Sequence, residues 1–363
     1  MRANRRILMA GCCLVGILIT LPFFLLPAEG ASGPIVLKAS GVAARNIPNS
    51  QGFEVWGREI EKRTNGRVRF DFYWAASLLK PTDQMKGTGM GLADVSLAMP
   101  VYTPTDTPMA TIGTVGFITE KVDAAARAMH DLYNTLPYFK NELERHNIKV
   151  MFFFPFPAPT MGTYSPIKTL EDLKGKKIRA VGILNQVVAK LGATPVNIPL
   201  PEVYEALSRK IVDGYTGSPL SAAVGDKFNE VVKYYLDWGY GNYSTQYVCF
   251  NKDKWDSLPE DIRQVIEEVN KRGTDIYTDV YAKMEPDYIK PLKDGGCSFY
   301  TLPPQEAVRW RNLVVPWLWN VWIEQNKKFG PSREFFDQFL DLGLGVLSLF
   351  PQQGGGDFTY ALI

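Results

Sequence analysis

Ser77 and Lys80 have the spacing of a known catalytic pair. The Ser-x-x-Lys pattern occurs in serine acyltransferases that act outside the cytoplasm. Those enzymes also carry Ser-Asp-Asn and Lys-Thr-Gly motifs, and this chain contains neither of them. We therefore predict that the chain is not an enzyme, and we keep an exported hydrolase that uses this pair as an alternative function.

The residue types give little support for a metal site or a phosphate-binding loop. The chain has two histidines, His130 and His146, and neither lies near a cysteine or a carboxylate pair at ligand spacing. The glycine-rich run at 87–91 completes neither the dinucleotide-binding pattern nor the P-loop pattern. We predict no metal site and no cofactor.

The first thirty residues read as an export signal. A basic start with Arg2, Arg5 and Arg6 precedes an apolar run and then small residues, which is the order of a cleavable signal peptide. An uncleaved membrane anchor is the alternative, because about 20 apolar residues can also span a bilayer. Cleavage would leave 37 basic and 37 acidic residues. We predict a neutral periplasmic protein that binds no nucleic acid.

Strands and helices alternate in the first half of the chain. The predicted order is a strand at 35–39, a helix with Phe53, Trp56 and Ile60 at helical spacing, a strand at 67–73, a helix from about 82 and a strand at 93–99. Such alternation favours a parallel sheet, whose ligands bind at the carboxyl ends of the strands. Ser40, Trp74 and Met99 stand at those ends and are candidate ligand-binding residues.

A second block of alternating elements follows the proline-rich stretch at 155–159. It begins with a strand at 176–180, a helix at 183–191 and a strand at 195–198. A chain of 363 residues also exceeds the usual size of a single hydrophobic core. We therefore predict two similar α/β lobes, then a long helix to about 283 and helices whose tryptophans pack rather than bind.

Several linked motifs resemble the DctP-type receptors of TRAP transporters. They are IKTLEDLKGKKIR at 167–179, LGATP at 191–195, PEVYEAL at 201–207 and VDG at 212–214. The resemblance implies an α/β, two-lobe fold of the periplasmic-binding-protein type (type II-like), hinged and with a long connecting helix. With it we assign 1–30 to the signal peptide, 31–157 plus 243–283 to lobe I, 158–242 plus 284–335 to lobe II and C-terminal helices, and 336–363 to a C-terminal helix and loose tail.

Arg179 is the principal binding residue that the resemblance implies. In the family, the arginine at this place in the motif forms a paired salt bridge with the substrate carboxylate. A guanidinium presents a rigid fork that matches two carboxylate oxygens, and it stays charged. Without the resemblance, a surface ion pair would be the ordinary interpretation of this residue.

Other cleft positions carry over from the same resemblance. Ala39, Met99, Leu200 and Gly217 match cleft-lining positions that are often polar or aromatic in sialic-acid receptors of the family. A second family arginine would fall near Pro159, where this chain has no basic residue between 150 and 167. We therefore expect a monocarboxylate with a hydrophobic or aromatic body, for which Trp238 and Tyr240 are candidate aromatic contacts, rather than a sugar acid.

The resemblance also implies partners in the membrane. We expect a small and a large integral membrane subunit of an ion-driven symporter to receive the small organic acid, and we expect the receptor to be a monomer. A ligand-sensing partner of a membrane signalling protein is a further alternative. Cys249 and Cys297 remain after cleavage, and the sequence allows either a disulfide or two buried thiols.

Overall fold

The computed structural model describes residues 33–119, 121, 123–241 and 245–342. Within them, eleven strands run in chain order: β1 (Ile35–Ser40), β2 (Val68–Tyr73), β3 (Val95–Ala98), β4 (Ile148–Pro155), β5 (Thr160–Thr163), β6 (Lys177–Ala180), β7 (Thr194–Asn197), β8 (Gly214–Ser218), β9 (Tyr234–Asp237), β10 (Thr245–Asn251) and β11 (Ser298–Thr301). The α-helices are α1 (Pro48–Arg63), α2 (Gln84–Gly89), α3 (Ala124–Thr135), α4 (Pro137–Glu144), α5 (Leu170–Leu173), α6 (Ile183–Lys190), α7 (Val203–Ser208), α8 (Leu220–Gly225), α9 (Lys252–Asp256), α10 (Glu260–Asn270), α11 (Gly273–Asp294), α12 (Pro304–Asn326) and α13 (Ser332–Asp341). The predicted signal peptide and the end of the predicted tail lie outside the described residues.

The first sheet has the strand order β2-β1-β3-β10-β4. Strands β1, β2 and β3 run parallel, and β10 is antiparallel to both β3 and β4. Leu37 and Ala39 of β1 are buried against the core beneath α1, α10 and α11, because alternate residues of a strand face the same side. The predicted order of strands and helices in this half is confirmed.

The second sheet has the strand order β11-β9-β5-β8-β6-β7. β6 runs parallel to β7 and β8, whereas β5 is antiparallel to β8 and β9. The predicted strands at 176–180 and 195–198 are confirmed within a residue or two. Strand β8 has the sequence GYTGS, which lacks alternating apolar residues, and the sequence did not predict it.

Three segments connect the two sheets. The chain passes from the first to the second between β4 and β5, returns between β9 and β10, and passes again through α11. The helix α11 packs against α1 and β4 and also against α8, so it spans both lobes. We expected this helix to end at about 283. It continues to Asp294 despite Pro286 and Pro291, because Tyr288 and Leu292 on its last turns are buried.

The C-terminal helices complete the core. Trp310 and Trp322 of α12 are buried, and Trp322 donates its indole N–H to the Thr111 hydroxyl at 2.8 Å, so the predicted packing role is confirmed for these two. Cys249 of β10 and Cys297, which precedes β11, are buried free thiols. Among the described helices, none combines enough length and hydrophobicity to cross a membrane.

Candidate functional site

The ends of strands from both sheets meet in one small apolar cluster. Val42 follows β1, Met99 and Val101 follow β3, and Val181 follows β6, and all four are buried together. Tyr102 packs against them and is partly buried. This cluster lies where the general rule for parallel sheets places ligands, at the carboxyl ends of the strands.

Two glycines lie at close contacts between the lobes. At Gly182, which follows β6, a Cβ would lie 2.5 Å from Cγ2 of Val101. At Gly225, which ends α8, a Cβ would overlap Cγ2 of Ile47 and lie 3.3 Å from its Cβ. Carbon atoms in contact are normally about 3.5–4.0 Å apart, so any larger residue would force these surfaces apart.

Arg179 is buried in the second lobe, with 1% of its surface exposed. Its Nε donates to the carbonyl oxygen of Ile198 at 2.7 Å, and its Nη1 donates to that of Thr216 at 3.1 Å. These acceptors follow β7 and belong to β8, the two strands that flank β6, so the sheet itself fixes the guanidinium.

Arg179 forms no ion pair in the described part of the chain. The described residues accept two of its five N–H groups, and no described carboxylate forms an ion pair with it. Arg179 is also the only arginine or lysine among the buried described residues. A buried cation without a partner is unfavourable, and a carboxylate can satisfy the remaining donors with two parallel hydrogen bonds.

Tyr215 and Asp226 lie next to this arginine. The strand register pairs Arg179 of β6 with Tyr215 of β8, and the Tyr215 side chain is fully buried. Asp226 follows α8, and its Oδ2 is buried without a hydrogen-bond partner in the described structure. Burial raises the pKa of Asp226 to about 7, and the positive charge of Arg179 acts in the opposite direction. Sequence reasoning did not identify Asp226, because nothing in its Gly-Asp-Lys turn distinguishes it from a surface residue.

The remaining positions in the first lobe differ in their surroundings. Ala39 is buried in the core of the first lobe, and Ser40 beside it is buried with no partner for its hydroxyl among the described groups. Met99 belongs to the apolar cluster between the lobes. Trp74 is partly buried, stacks on Phe72 with ring centroids 5.1 Å apart, and lies over Gly41.

Four predicted residues lie in or next to the second sheet. Gly217 is a buried residue of β8 with a φ of +86°, and Leu200 is partly buried against the core under α7. Trp238 donates its indole N–H to the carbonyl of Pro159 at 2.9 Å, and the Tyr240 hydroxyl donates to that of Thr114 at 2.9 Å. Their rings lie 4.8 Å apart, both are buried, and they follow β9 where the chain returns to the first sheet.

The alternative catalytic pair is on the surface. Ser77 and Lys80 are both exposed in the loop after β2. A lysine that activates a serine needs a desolvated setting that lowers its pKa, and an exposed loop does not provide one. The described residues contain no group of histidine, cysteine and carboxylate side chains that could hold a metal ion.

Comparisons with known proteins agree with this architecture. Residues 39–325 match the family model DctP, described as bacterial extracellular solute-binding protein, family 7. The C4-dicarboxylate-binding periplasmic protein DctP of Rhodobacter capsulatus is 26% identical over 289 residues, which cover 78% of this chain and 85% of that protein.

Two solved structures share the fold. One is a TRAP solute-binding protein from Rhodoferax ferrireducens in complex with copurified benzoate, with a TM-score of 0.78, 23% identity, and coverage of 85% of this chain and 97% of that one. The other is from an unidentified marine microbe, is specific for aromatic acid ligands and was solved with metahydroxyphenylacetate. It has a TM-score of 0.76, 22% identity, and coverage of 85% and 98%. The family match spans most of the chain, and the chain therefore belongs to the DctP family of bacterial extracellular solute-binding proteins, which are receptors rather than enzymes.

Proposed function

We propose that this chain is the periplasmic receptor of a TRAP transporter and that it binds a small organic monocarboxylate through Arg179. The observation that carries the proposal is the burial of this guanidinium without an ion-pair partner in the described structure. Two backbone carbonyls hold the side chain in place, so the remaining N–H donors are already oriented before a ligand arrives. A ligand carboxylate would supply the missing negative charge.

The surroundings favour an apolar ligand body. Val42, Met99, Val101 and Val181 bring only hydrocarbon and thioether groups to the strand ends. A second carboxylate would need a second buried cation, and Arg179 is the only one in the described structure. Two structural relatives were solved with benzoate and metahydroxyphenylacetate, which have one carboxylate on an aromatic body, whereas the Rhodobacter relative is named for C4-dicarboxylates.

The other predicted residues stay part of this proposal. We propose that Arg179 makes the charged contact and that the cleft is lined by Ala39, Ser40, Trp74, Met99, Leu200, Gly217, Trp238 and Tyr240. We also retain the lobe boundaries proposed from the sequence, with the lobes closing over the ligand. The glycine contacts at 182 and 225 support closure, because both glycines lie where the lobes touch.

Delivery to the membrane completes the proposed role. A monomeric receptor released by cleavage after about residue 30 would pass its cargo to a small and a large membrane subunit. The neutral charge of the predicted mature chain and its lack of a basic run agree with a small-molecule partner rather than nucleic acid.

Thermal unfolding in the presence of organic acids tests the binding proposal. Mature protein is unfolded with benzoate, metahydroxyphenylacetate and succinate, because a ligand at 100 times its Kd stabilises the native state by about 2.7 kcal/mol. We expect the aromatic acids to raise Tm more than succinate does. Arg179→Gln should abolish the shift, whereas Arg209→Gln should retain it, because Arg209 is exposed and pairs with Glu205. Equal shifts in the Arg179→Gln variant and the parent would contradict the assigned contact.

A further inference from the structure

A buried carboxyl group lies beside the arginine that we assign to the ligand. Asp226 closes α8, where its backbone N–H donates to the carbonyl oxygen of Ala222 at 2.9 Å. Its Oδ2 is buried and accepts no hydrogen bond from the described residues. The preceding residue, Gly225, touches Ile47 of the other lobe. The carboxyl group is therefore placed next to both the charged contact and the surface on which the lobes meet.

The electrostatic partners of Asp226 come from the adjacent strands. Arg179 of β6 is the charged residue whose field favours the ionised form of Asp226. Tyr215 of β8 lies in the field of both residues, and burial together with the Asp226 charge raises the pKa of its hydroxyl. Asp226 and Arg179 do not form an ion pair, so the carboxyl group senses the arginine without consuming its donors.

Other titratable groups lie around Asp226, and several of them have hydrogen-bond or ion-pair partners of their own. The helix α8 packs against α11, which carries Glu285 and Tyr288, and against the turn at 228–230, which carries Glu230 and follows Lys227. Tyr235 of β9 belongs to the same apolar core as α8, and Arg45 precedes Asn46, whose Oδ1 would lie 3.9 Å from a Cβ at Gly225. Glu230 accepts from the Tyr204 hydroxyl, Arg45 pairs with Glu54, and Tyr288 donates to the carbonyl of Asn46. Burial alone raises the pKa of Glu285 to about 7, so this residue is the competing candidate for a proton-linked effect.

We propose that Asp226 is a positioning residue that acts through Arg179, and that binding of a carboxylate ligand to Arg179 is accompanied by uptake of one proton from solvent by Asp226. This inference rests on the proposed function of Arg179. It adds a property that the fold alone does not require, namely that the affinity for an anionic ligand depends on pH near neutrality although the ligand itself stays ionised.

The direction of the effect follows from charge balance. With the lobes in contact, burial raises the pKa of Asp226 to about 7 against the lowering field of Arg179. A bound carboxylate cancels much of that positive charge and adds a negative one, so the pKa of Asp226 rises further and a proton binds. By linkage, anything that promotes protonation of Asp226 then strengthens ligand binding. Affinity should therefore be highest at acidic pH and should fall as the pH rises through about 7.

Isothermal titration calorimetry with benzoate measures both consequences. Titrations at about pH 7.5 in two buffers that differ in ionisation enthalpy give the number of protons taken up, and we expect roughly half a proton or more. A pH series from about 6 to about 8.5 should show about tenfold weaker binding at the alkaline end, because each unit of pKa change corresponds to a factor of ten. Metahydroxyphenylacetate serves as a second probe.

Two isosteric variants locate the proton. Asp226→Asn should remove both the proton uptake and the pH dependence, and its affinity at every pH should approach that of the parent at about pH 6. Glu285→Gln should behave like the parent. The Asn variant retains the size of the side chain, and its Tm without ligand shows whether it folds.

The outcomes separate this inference from the function on which it rests. Tight benzoate binding that requires Arg179 but takes up no proton would overturn the role of Asp226 and leave the receptor function in place. Proton uptake that persists in Asp226→Asn and disappears in Glu285→Gln would move the effect to Glu285 and also overturn it. If neither aromatic acid nor succinate binds the parent protein, both proposals fall together.

Discussion

Gly225→Ala tests whether the contact between the lobes belongs to the ligand-bound form. Gly225 is the last residue of α8, and its backbone has no positive φ that would strain an alanine. Alanine is favoured over glycine inside a helix by up to about 1 kcal/mol, so the helix itself should not be weakened. The added Cβ would overlap Cγ2 of Ile47, a residue with 3% exposure in the opposing lobe.

The size of the effect follows from that overlap. Cβ of Ile47 would lie 3.3 Å away, already closer than ordinary carbon contacts of about 3.5–4.0 Å, and its Cγ2 methyl is nearer still. Overpacking of this kind costs about 1–3 kcal/mol. If the lobes separate without ligand, only the closed form bears this cost. Benzoate affinity should then fall by about 5- to 150-fold, since 1.4 kcal/mol corresponds to a factor of ten.

Calorimetric titration and thermal unfolding of the same variants show whether the overlap destabilises the ligand-bound form or the ligand-free protein. We expect Gly225→Ala to keep or slightly raise Tm without ligand while it weakens binding. Ile47→Ala removes the methyl that is overlapped, so the double variant should regain affinity relative to Gly225→Ala alone. A lower Tm without ligand combined with unchanged affinity would refute the reasoning, because it would mean that the contact also persists in the ligand-free protein.

Two further predictions concern stability and reactivity. Burial raises the pKa of Glu142 to about 7 from an ordinary 4.5, against the backbone N–H donors of Met109 and Ala110, so the folded protein binds the extra proton. The free energy of unfolding should therefore decrease as pH rises from about 4.5 to about 7, and urea titrations should show a smaller decrease for Glu142→Gln. Burial also raises the pKa of Cys249 to about 11 and raises that of Cys297. Iodoacetamide should label both thiols slowly in the native protein and rapidly in urea, which mass spectrometry would reveal, and fast labelling of the native protein would contradict the burial of these side chains.

Local patterns predicted the elements whose residues alternate or repeat regularly. Strand β1 and helix α1 follow directly from buried residues at spacings of two and of three to four, such as Leu37 and Ala39, or Phe53 and Trp56. The sequence did not predict strand β8, because its burial comes from the neighbouring strands β5 and β6 rather than from an alternating pattern of its own side chains. The end of α11 was misplaced, because tertiary burial of Tyr288 outweighed the prolines around it.

The candidate site depends on contacts that a single sequence cannot reveal. The motif resemblance singled out Arg179, but its two carbonyl partners and its lack of an ion pair in the described structure became visible only in three dimensions. Asp226 lies 47 positions further along the chain, at the end of the helix α8 that follows β8, and β8 is the neighbour of β6 in the sheet. Trp238 and Tyr240 are predicted aromatic contacts of the ligand, and the structure shows that both donate to backbone carbonyls near the connections between the lobes.

The energetic cost of burying Arg179 connects stability, affinity and specificity. An unpaired buried cation is penalised by several kcal/mol, and two carbonyl acceptors offset only part of this penalty. Asp226 offsets more of it when ionised, but burial opposes that ionisation. A ligand carboxylate that forms two hydrogen bonds with Arg179 offsets the rest of this penalty and allows Asp226 to become neutral.

The second carboxylate of a C4-dicarboxylate would find no other buried cation in the described structure and would be desolvated without compensation. Succinate should consequently bind more weakly than benzoate, and an affinity for succinate equal to that for benzoate would show that a basic group from outside this set enters the cleft.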